Sequence, residues 1–219
     1  MEKIWFIKRL DIFKNLPENM INDLEDNSFL KEMKKNTVIT TPENRDYIYV
    51  IKYGKVAIYI ENNGKRLITD ILKEGEIFGC LTDLEKEYAV ALTDVVLCMI
   101  NKKFFENLIT KDLTLNIKIR KYLGLKRYHI ELNFSDIIFK SVEERLISIL
   151  SRLSSKFGVK EKEEDFIKIN ILLTHQDIAD MIGSTRETVS KLINKLKKEN
   201  LIKTKKKFIY LNQDRFHLE

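Results

Sequence analysis

Two cysteines, Cys80 and Cys98, are all that the 219 residues contain. They are too few for a disulfide framework. Neither belongs to a CxxC or a Cys/His cluster with zinc or iron–sulfur spacing, so no metal ligand is assigned. A reducing cytoplasm fits that usage. No histidine precedes His129. No apolar run approaches the roughly 20 residues of a membrane span. The apolar positions of residues 4–16 are interrupted by Lys8, Arg9, Asp11 and Lys14, which excludes a secretory signal. A Gly-rich phosphate loop, a metal cluster and a nucleophile motif are all missing, so the sequence is read as a non-enzyme. What is left is a cytoplasmic protein with no membrane association, long enough to bury a core without staples.

Charge is plentiful and unevenly placed. The chain carries +6 overall. Residues 183–207 hold nine cations (Arg186, Lys191, Lys195, Lys197, Lys198, Lys203, Lys205, Lys206, Lys207) against Glu187 and Glu199, which is +7 in that stretch and −1 elsewhere. A basic excess gathered in one place is the footprint of nucleic-acid binding.

The pattern along the chain is α+β. Residues 1–28 look helical, with a break at Leu16-Pro17 and Pro17 at a first helical position. From about 29 to 104 short β-like runs alternate with turn signals, Asn63-Gly64 being the strongest hairpin signal. Many short strands at regular spacing predict a closed or sandwiched antiparallel sheet. A long helix is predicted over about 112–134. Leu115, Tyr122, Leu125, His129 and Leu132 form one stripe of it, assigned to pairing with a partner helix. Leu113, Ile117, Leu123, Ile130 and Phe134 give apolar surface elsewhere. Ser141-Val-Glu-Glu144 is a capping box that opens the next helix. The domains are therefore set at 1–138, a β-roll with its long helix, and 139–219, a C-terminal module.

That module reads as a winged helix-turn-helix. Thr174 to Asp177 caps a helix whose Ile178, Ala179 and Ile182 face inward, and Gly183 permits a sharp turn. Ser184, with Glu187 three residues on, is placed as the cap of a second helix at about 185–198. There Val189, Leu192, Ile193 and Leu196 recur at helical spacing and bury one stripe. Arg186, Glu187, Ser190 and Lys191 lie outside, with donors for guanine and an acceptor for cytosine N4. Thr174, Gln176, Thr185 and Thr188 are assigned to the DNA backbone, together with Lys203, Lys205 and Lys206 of two short strands around a lysine turn.

Thr174-His-Gln-Asp-Ile-Ala-Asp-Met-Ile-Gly-Ser-Thr-Arg-Glu-Thr-Val-Ser-Lys-Leu-Ile193 resembles the helix-turn-helix of the CRP/FNR superfamily of bacterial transcription regulators. Gly54-Lys-Val56, Gly64 and Gly75-Glu-Ile-Phe-Gly79 resemble the glycine frame of its cyclic-nucleotide-binding-like β-roll. The resemblance implies a homodimer joined by the long helix, a palindromic double-stranded site, and RNA polymerase as a partner. It implies that Arg186, Glu187 and Lys191 read bases. Arg186-Glu187 implies a half-site like TGTGA, and Ser190 some TTGA character. Lys191 stands where the family has arginine, and a lysine lacks the planar bidentate fork.

The sensor side departs from the family. Cys80 follows Phe78-Gly79 where a cyclic-nucleotide binder has Glu, and Glu85-Lys-Glu-Tyr88 replaces its phosphate cradle. Cyclic-AMP binding is therefore not expected. No cysteine cluster precedes residue 30, so no iron–sulfur centre is expected. No cofactor is assigned, although haem or a small-molecule effector stays open, with Cys80 as the candidate effector residue. The competing reading is an RNA- or protein-binding adaptor that uses the same basic module.

Overall fold

A computed structural model describes residues 2–79, 86–160 and 165–212. Two compact units divide the chain, Met1–His129 and Ile130–Glu219.

The first unit opens with helices α1 (Glu2–Arg9) and α2 (Glu18–Asp26). Pro17 caps α2 and stands just outside its first turn. The strands follow: β1 (Ser28–Met33), β2 (Val38–Thr40), β3 (Tyr47–Tyr53), β4 (Val56–Asn62), β5 (Lys65–Leu72), β6 (Ile77–Phe78), β7 (Tyr88–Ala91) and β8 (Val95–Asn101). They form two antiparallel sheets, in the orders β1-β8-β3-β6 and β2-β7-β4-β5. The β4–β5 hairpin turns on Asn63 and Gly64, both with positive φ, as a two-residue primed turn demands.

Alternation along β3 and β8 explains the layering. Tyr49, Ile51, Leu97 and Met99 face the second sheet, in a core with Val56, Ile58, Ala89 and Ala91. Ile48, Val50, Cys98 and Ile100 face the other way. There Ile7, Phe13, Leu24, Phe105, Leu108, Leu115 and Ile119 cover them. These two strands are apolar on both faces because both faces are buried, and each fully buried Ile or Leu contributes about 1.5–3 kcal/mol. Cys98 is accordingly a core residue, fully buried. β1 is a strand that the residue pattern Ser-Phe-Leu-Lys-Glu-Met does not advertise. Its pairing along β8 makes it one.

Helix α3 (Lys102–Lys111) leads into α4 (Leu113–Phe139), whose Leu115 N–H donates to the Asp112 carboxylate at 2.6 Å. The helix runs past the predicted end at 134 because Asp136, which reads as a joint, is internally paired (below). The division between units accordingly falls inside α4, at His129/Ile130, and not at 138.

The two apolar stripes of α4 exchange the roles assigned to them. Leu115 is 1% exposed in the core of its own unit, and Tyr122 packs against the same core. The Tyr122 hydroxyl donates to the Ile77 carbonyl at 2.5 Å and accepts from the Ile77 N–H at 3.2 Å. Burial, with the Glu76 carboxylate adding to it, pushes that phenol's pKa up, so it stays neutral. Leu115 and Tyr122 are therefore withdrawn from partner pairing. Leu125 and His129 are exposed, and Leu132 is half-buried. Leu113, Ile117, Leu123, Ile130 and Phe134 are the exposed set, continued by Ile137 and Ile138.

The second unit holds the end of α4, then α5 (Val142–Phe157), β9 (Gly158–Lys160), β10 (Phe166–Ile169), α6 (His175–Ile182), α7 (Arg186–Lys198), β11 (Ile202–Lys205) and β12 (Phe208–Asn212). Ser141 and Glu144 make the predicted capping box at the start of α5. Asp136 is buried between α4 and α5. It accepts from Arg152 Nη1 at 2.7 Å and pairs with Lys140 at 2.8 Å, while Arg152 Nη2 donates to Asn133 Oδ1 at 3.0 Å. The strands make one antiparallel sheet, β11-β12-β10-β9. Among the described residues no helix is long and apolar enough to cross a membrane, and no His/Cys/Asp/Glu cluster could hold a metal.

Candidate nucleic-acid interface

Helix α6 begins at a complete capping box. Thr174 Oγ1 accepts from the Asp177 N–H, and Asp177 Oδ2 accepts from the Thr174 N–H at 2.9 Å and from its hydroxyl at 2.7 Å. Ile178, Ala179 and Ile182 are buried as predicted. The helix stops at Gly183, whose φ of 60° and ψ of 50° lie in the left-handed region that favours glycine. The Ser184 N–H then returns to the Ala179 carbonyl at 3.0 Å. Two backbone bonds and one glycine thus fix the turn between the two helices.

The cap of α7 is Thr185, and not Ser184. Thr185 Oγ1 accepts from the Thr188 N–H at 3.2 Å, and the two threonine hydroxyls lie 3.0 Å apart. Two consecutive hydroxyl residues satisfy the same sequence rule, and only the geometry of the turn selects between them. Val189, Ile193 and Leu196 are buried and Leu192 half-buried, so the predicted stripe packs inward.

The opposite stripe is open. Arg186, Glu187, Lys191 and Asn194 are exposed, and Ser190 is half-buried among them. No ion pair takes up Arg186, Glu187 or Lys191 among the described residues, so their donors and acceptors are available to a partner. The four polar residues assigned to the DNA backbone have internal duties as well. Thr174, Thr185 and Thr188 serve the two caps, and Gln176 Nε2 donates to Asp180 at 2.6 Å. Thr174, Gln176 and Thr185 remain exposed.

The basic stretch divides by use. Lys195 is tied back to α5, 2.7 Å from each Glu143 oxygen. Lys203 lies over the rings of Phe166 and Tyr210, at 4.4 and 5.3 Å from their centroids, which is a packing role beside the phosphate role assigned to it. Lys197, Lys198, Lys205, Lys206 and Lys207 are exposed. The β11–β12 hairpin pairs Lys205 with Phe208, which leaves Lys206 and Lys207 as its two-residue turn. Their φ values are 50° and 67°. This is the conformation of Asn63-Gly64, adopted here by two residues for which it costs about 1–2 kcal/mol each. Charge at this tip comes at the expense of backbone ease.

One functional contact was not legible beforehand. His175 Nδ1 sits 2.7 Å from Ser190 Oγ, between the first residue of α6 and the open stripe of α7. Burial first, then the positive charges of Arg186 and Lys197, hold the imidazole below its usual pKa, so it is neutral at pH 7. No local signal announces this pair, because only the crossing of the two helices brings it together.

Residues 144–217 match the family described as "Crp-like helix-turn-helix domain", and residues 30–112 match "Cyclic nucleotide-binding domain". The chain is 29% identical to the "Anaerobic regulatory protein" of Bacillus subtilis, covering 82% of this chain and 77% of that protein. It is 28% identical to a "Global nitrogen regulator" of Synechococcus elongatus, covering 79% and 80%. In fold it is similar to a solved CooA variant from Carboxydothermus hydrogenoformans, with a TM-score of 0.78 and 24% identity over 94% of this chain and 91% of that one. The chain belongs to the CRP/FNR family of transcription regulators. As a CRP/FNR regulator it binds DNA through α6 and α7, and it is not an enzyme. The β-roll is the family's cyclic-nucleotide-binding-like domain. The residues on which its effector chemistry was weighed, Cys80 and Glu85, lie outside the described residues.

Proposed function

We propose that this regulator acts in the cytoplasm as a homodimer. Each copy would place α7 in the major groove of one half of a palindromic site with TGTGA or TTGA character. RNA polymerase would be the partner at the promoter. The observation that carries the reading is the open stripe of Arg186, Glu187 and Lys191 on a helix held by the Gly183 turn and flanked by the lysine hairpin. Arg186 donates to guanine O6/N7 and Glu187 accepts from cytosine N4, each a discriminating pairing. Lys205, Lys206 and Lys207 bind phosphates, which fixes register and carries no sequence information. The row Leu123, Ile130, Phe134 and Ile137 recurs every three, four or seven residues along α4 and meets its copy in the dimer. With Cys80 where the family's nucleotide binder has Glu, no cyclic-AMP control is proposed, and the effector is left unassigned.

Two experiments separate reading from positioning. Arg186→Ala should cost about 1–3 kcal/mol of affinity for the preferred site and relax one base pair of each half-site. Competition between single-base variants of a duplex measures it; equal loss on every sequence would show that Arg186 only touches phosphate. Lys206→Asn with Lys207→Gly should raise the stability of the second unit by about 1–3 kcal/mol, since the turn strain is relieved. The same change should lower the slope of log affinity against log salt by about 1.8, at ~0.9 per lost phosphate contact. An unchanged slope would remove the wing tip from the interface.

A further inference from the structure

His175 belongs to none of the groups assigned to bases or phosphates, yet it touches the reading stripe. It is the first residue of α6, half-buried, and its Nδ1 lies 2.7 Å from Ser190 Oγ. Ser190 follows Arg186 by one helical turn and precedes Asn194 by another, so it shares their face of α7. This inference rests on the proposal that this face reads bases.

A serine hydroxyl alone discriminates poorly. It has one proton and two lone pairs on a freely turning bond. It can donate to guanine or thymine, or accept from the amino group of cytosine or adenine. A hydrogen bond to a fixed partner removes that freedom. When Nδ1 carries the ring proton it donates to Oγ, and the serine proton is left for an acceptor on a base. When the proton is on the other ring nitrogen, Ser190 donates to Nδ1 and offers lone pairs alone. In either state the hydroxyl keeps one sense towards the groove. The ring is held for this by the helix start. Thr174 and Asp177 lock the first turn of α6, and Gly183 and the Thr185 cap set where α7 passes it.

We infer that His175 is a specificity-setting positioning residue, which fixes the donor or acceptor sense of the Ser190 hydroxyl and so the class of base accepted opposite it. His175 touches no base itself. A phosphate-binding role would act on all sequences alike, and a structural role would act on folding. Neither would act on one base position through Ser190.

The test uses the full-length protein and a pool of duplexes with a randomised half-site. The wild type should enrich either the guanine/thymine class or the cytosine/adenine class at one position beyond those read by Arg186 and Glu187. His175→Phe, which keeps the ring and removes its nitrogens, should cut discrimination there roughly fivefold, the weight of one hydrogen bond. Ser190→Ala should relax the same position, and the double variant should be no worse than Ser190→Ala alone. His175→Ala serves if the phenylalanine does not fold, with thermal unfolding as the control on both. Additive losses, a uniform loss on every sequence, or an unaltered base preference in the histidine variants would overturn the inference. If the wild type enriches no half-site at all, it is the reading function that fails. An enriched half-site that His175→Phe leaves unchanged refutes the role of His175 alone.

Discussion

Ile130→Glu together with Phe134→Glu should turn the protein into a monomer and lower its affinity for a two-half-site duplex by about 10²–10⁴, the gain that a second linked half-site confers. Binding to a single half-site should hardly change. Both side chains are open to solvent in the single chain, at 49% and 64% exposure, so charge at these positions leaves its fold nearly untouched. In a helix pair the same carboxylates would be buried against apolar partners, where an unpaired charge is prohibitive. Sedimentation gives the mass, and anisotropy with one- and two-half-site duplexes gives the affinities. Leu115→Ala is the control in the opposite sense. Leu115 is buried within its own unit, so its loss should cost about 2–5 kcal/mol of stability without acting on dimerisation. A dimer that survives the two glutamates would move the interface to the neighbouring surface of Leu125 and His129.

Asp136→Ala should be the most damaging single change in the second unit, at about 3–5 kcal/mol. It removes one partner of a buried pair and strands the Arg152 guanidinium. The only tryptophan is Trp5, in the other unit, so amide exchange along α5 is the measurement to use. A change below about 1 kcal/mol would mean that the cluster is solvated and weak. The same group predicts a pH dependence. Burial pushes the Asp136 carboxyl's pKa up, but the hydrogen bonds and charges of Lys140 and Arg152 outweigh it, and the net shift is downward. A lowered folded value stabilises above the unfolded pKa near ~4 and is lost as pH falls through the folded value. Protection of α5 should therefore decline only below about pH 4, and Asp136→Asn should remove that decline.

The helix-turn-helix was legible because its signals are local. A cap with its partner three residues on, a glycine at a helix end and an apolar stripe at helical spacing all lie within 174–196. The hairpin at Asn63-Gly64 was legible for the same reason. The hairpin at Lys206-Lys207 has the same geometry without its usual residues, and the run of lysines around it marked the turn. The α4 stripes were not legible. Its inward stripe includes Lys118 and Lys126, which read as solvent-facing. Lys118 donates to the backbone carbonyls of Asp11 and Lys14, and Lys126 pairs with Asp70 and Glu76. Those partners lie 45 or more residues away, so no window on the helix could contain them. An apolar stripe says that something covers it, and the long-range partner decides what. The same limit hid the contact of His175 with Ser190.

Selection of bound duplexes from a random pool, at moderate salt where non-specific binding is weak, tests the central claim most directly. The account predicts enrichment of a palindrome whose half-sites resemble TGTGA or TTGA, lost in Arg186→Ala at one base pair of each half. A pool that enriches no palindrome, or single-stranded RNA bound in preference to every duplex, would contradict it.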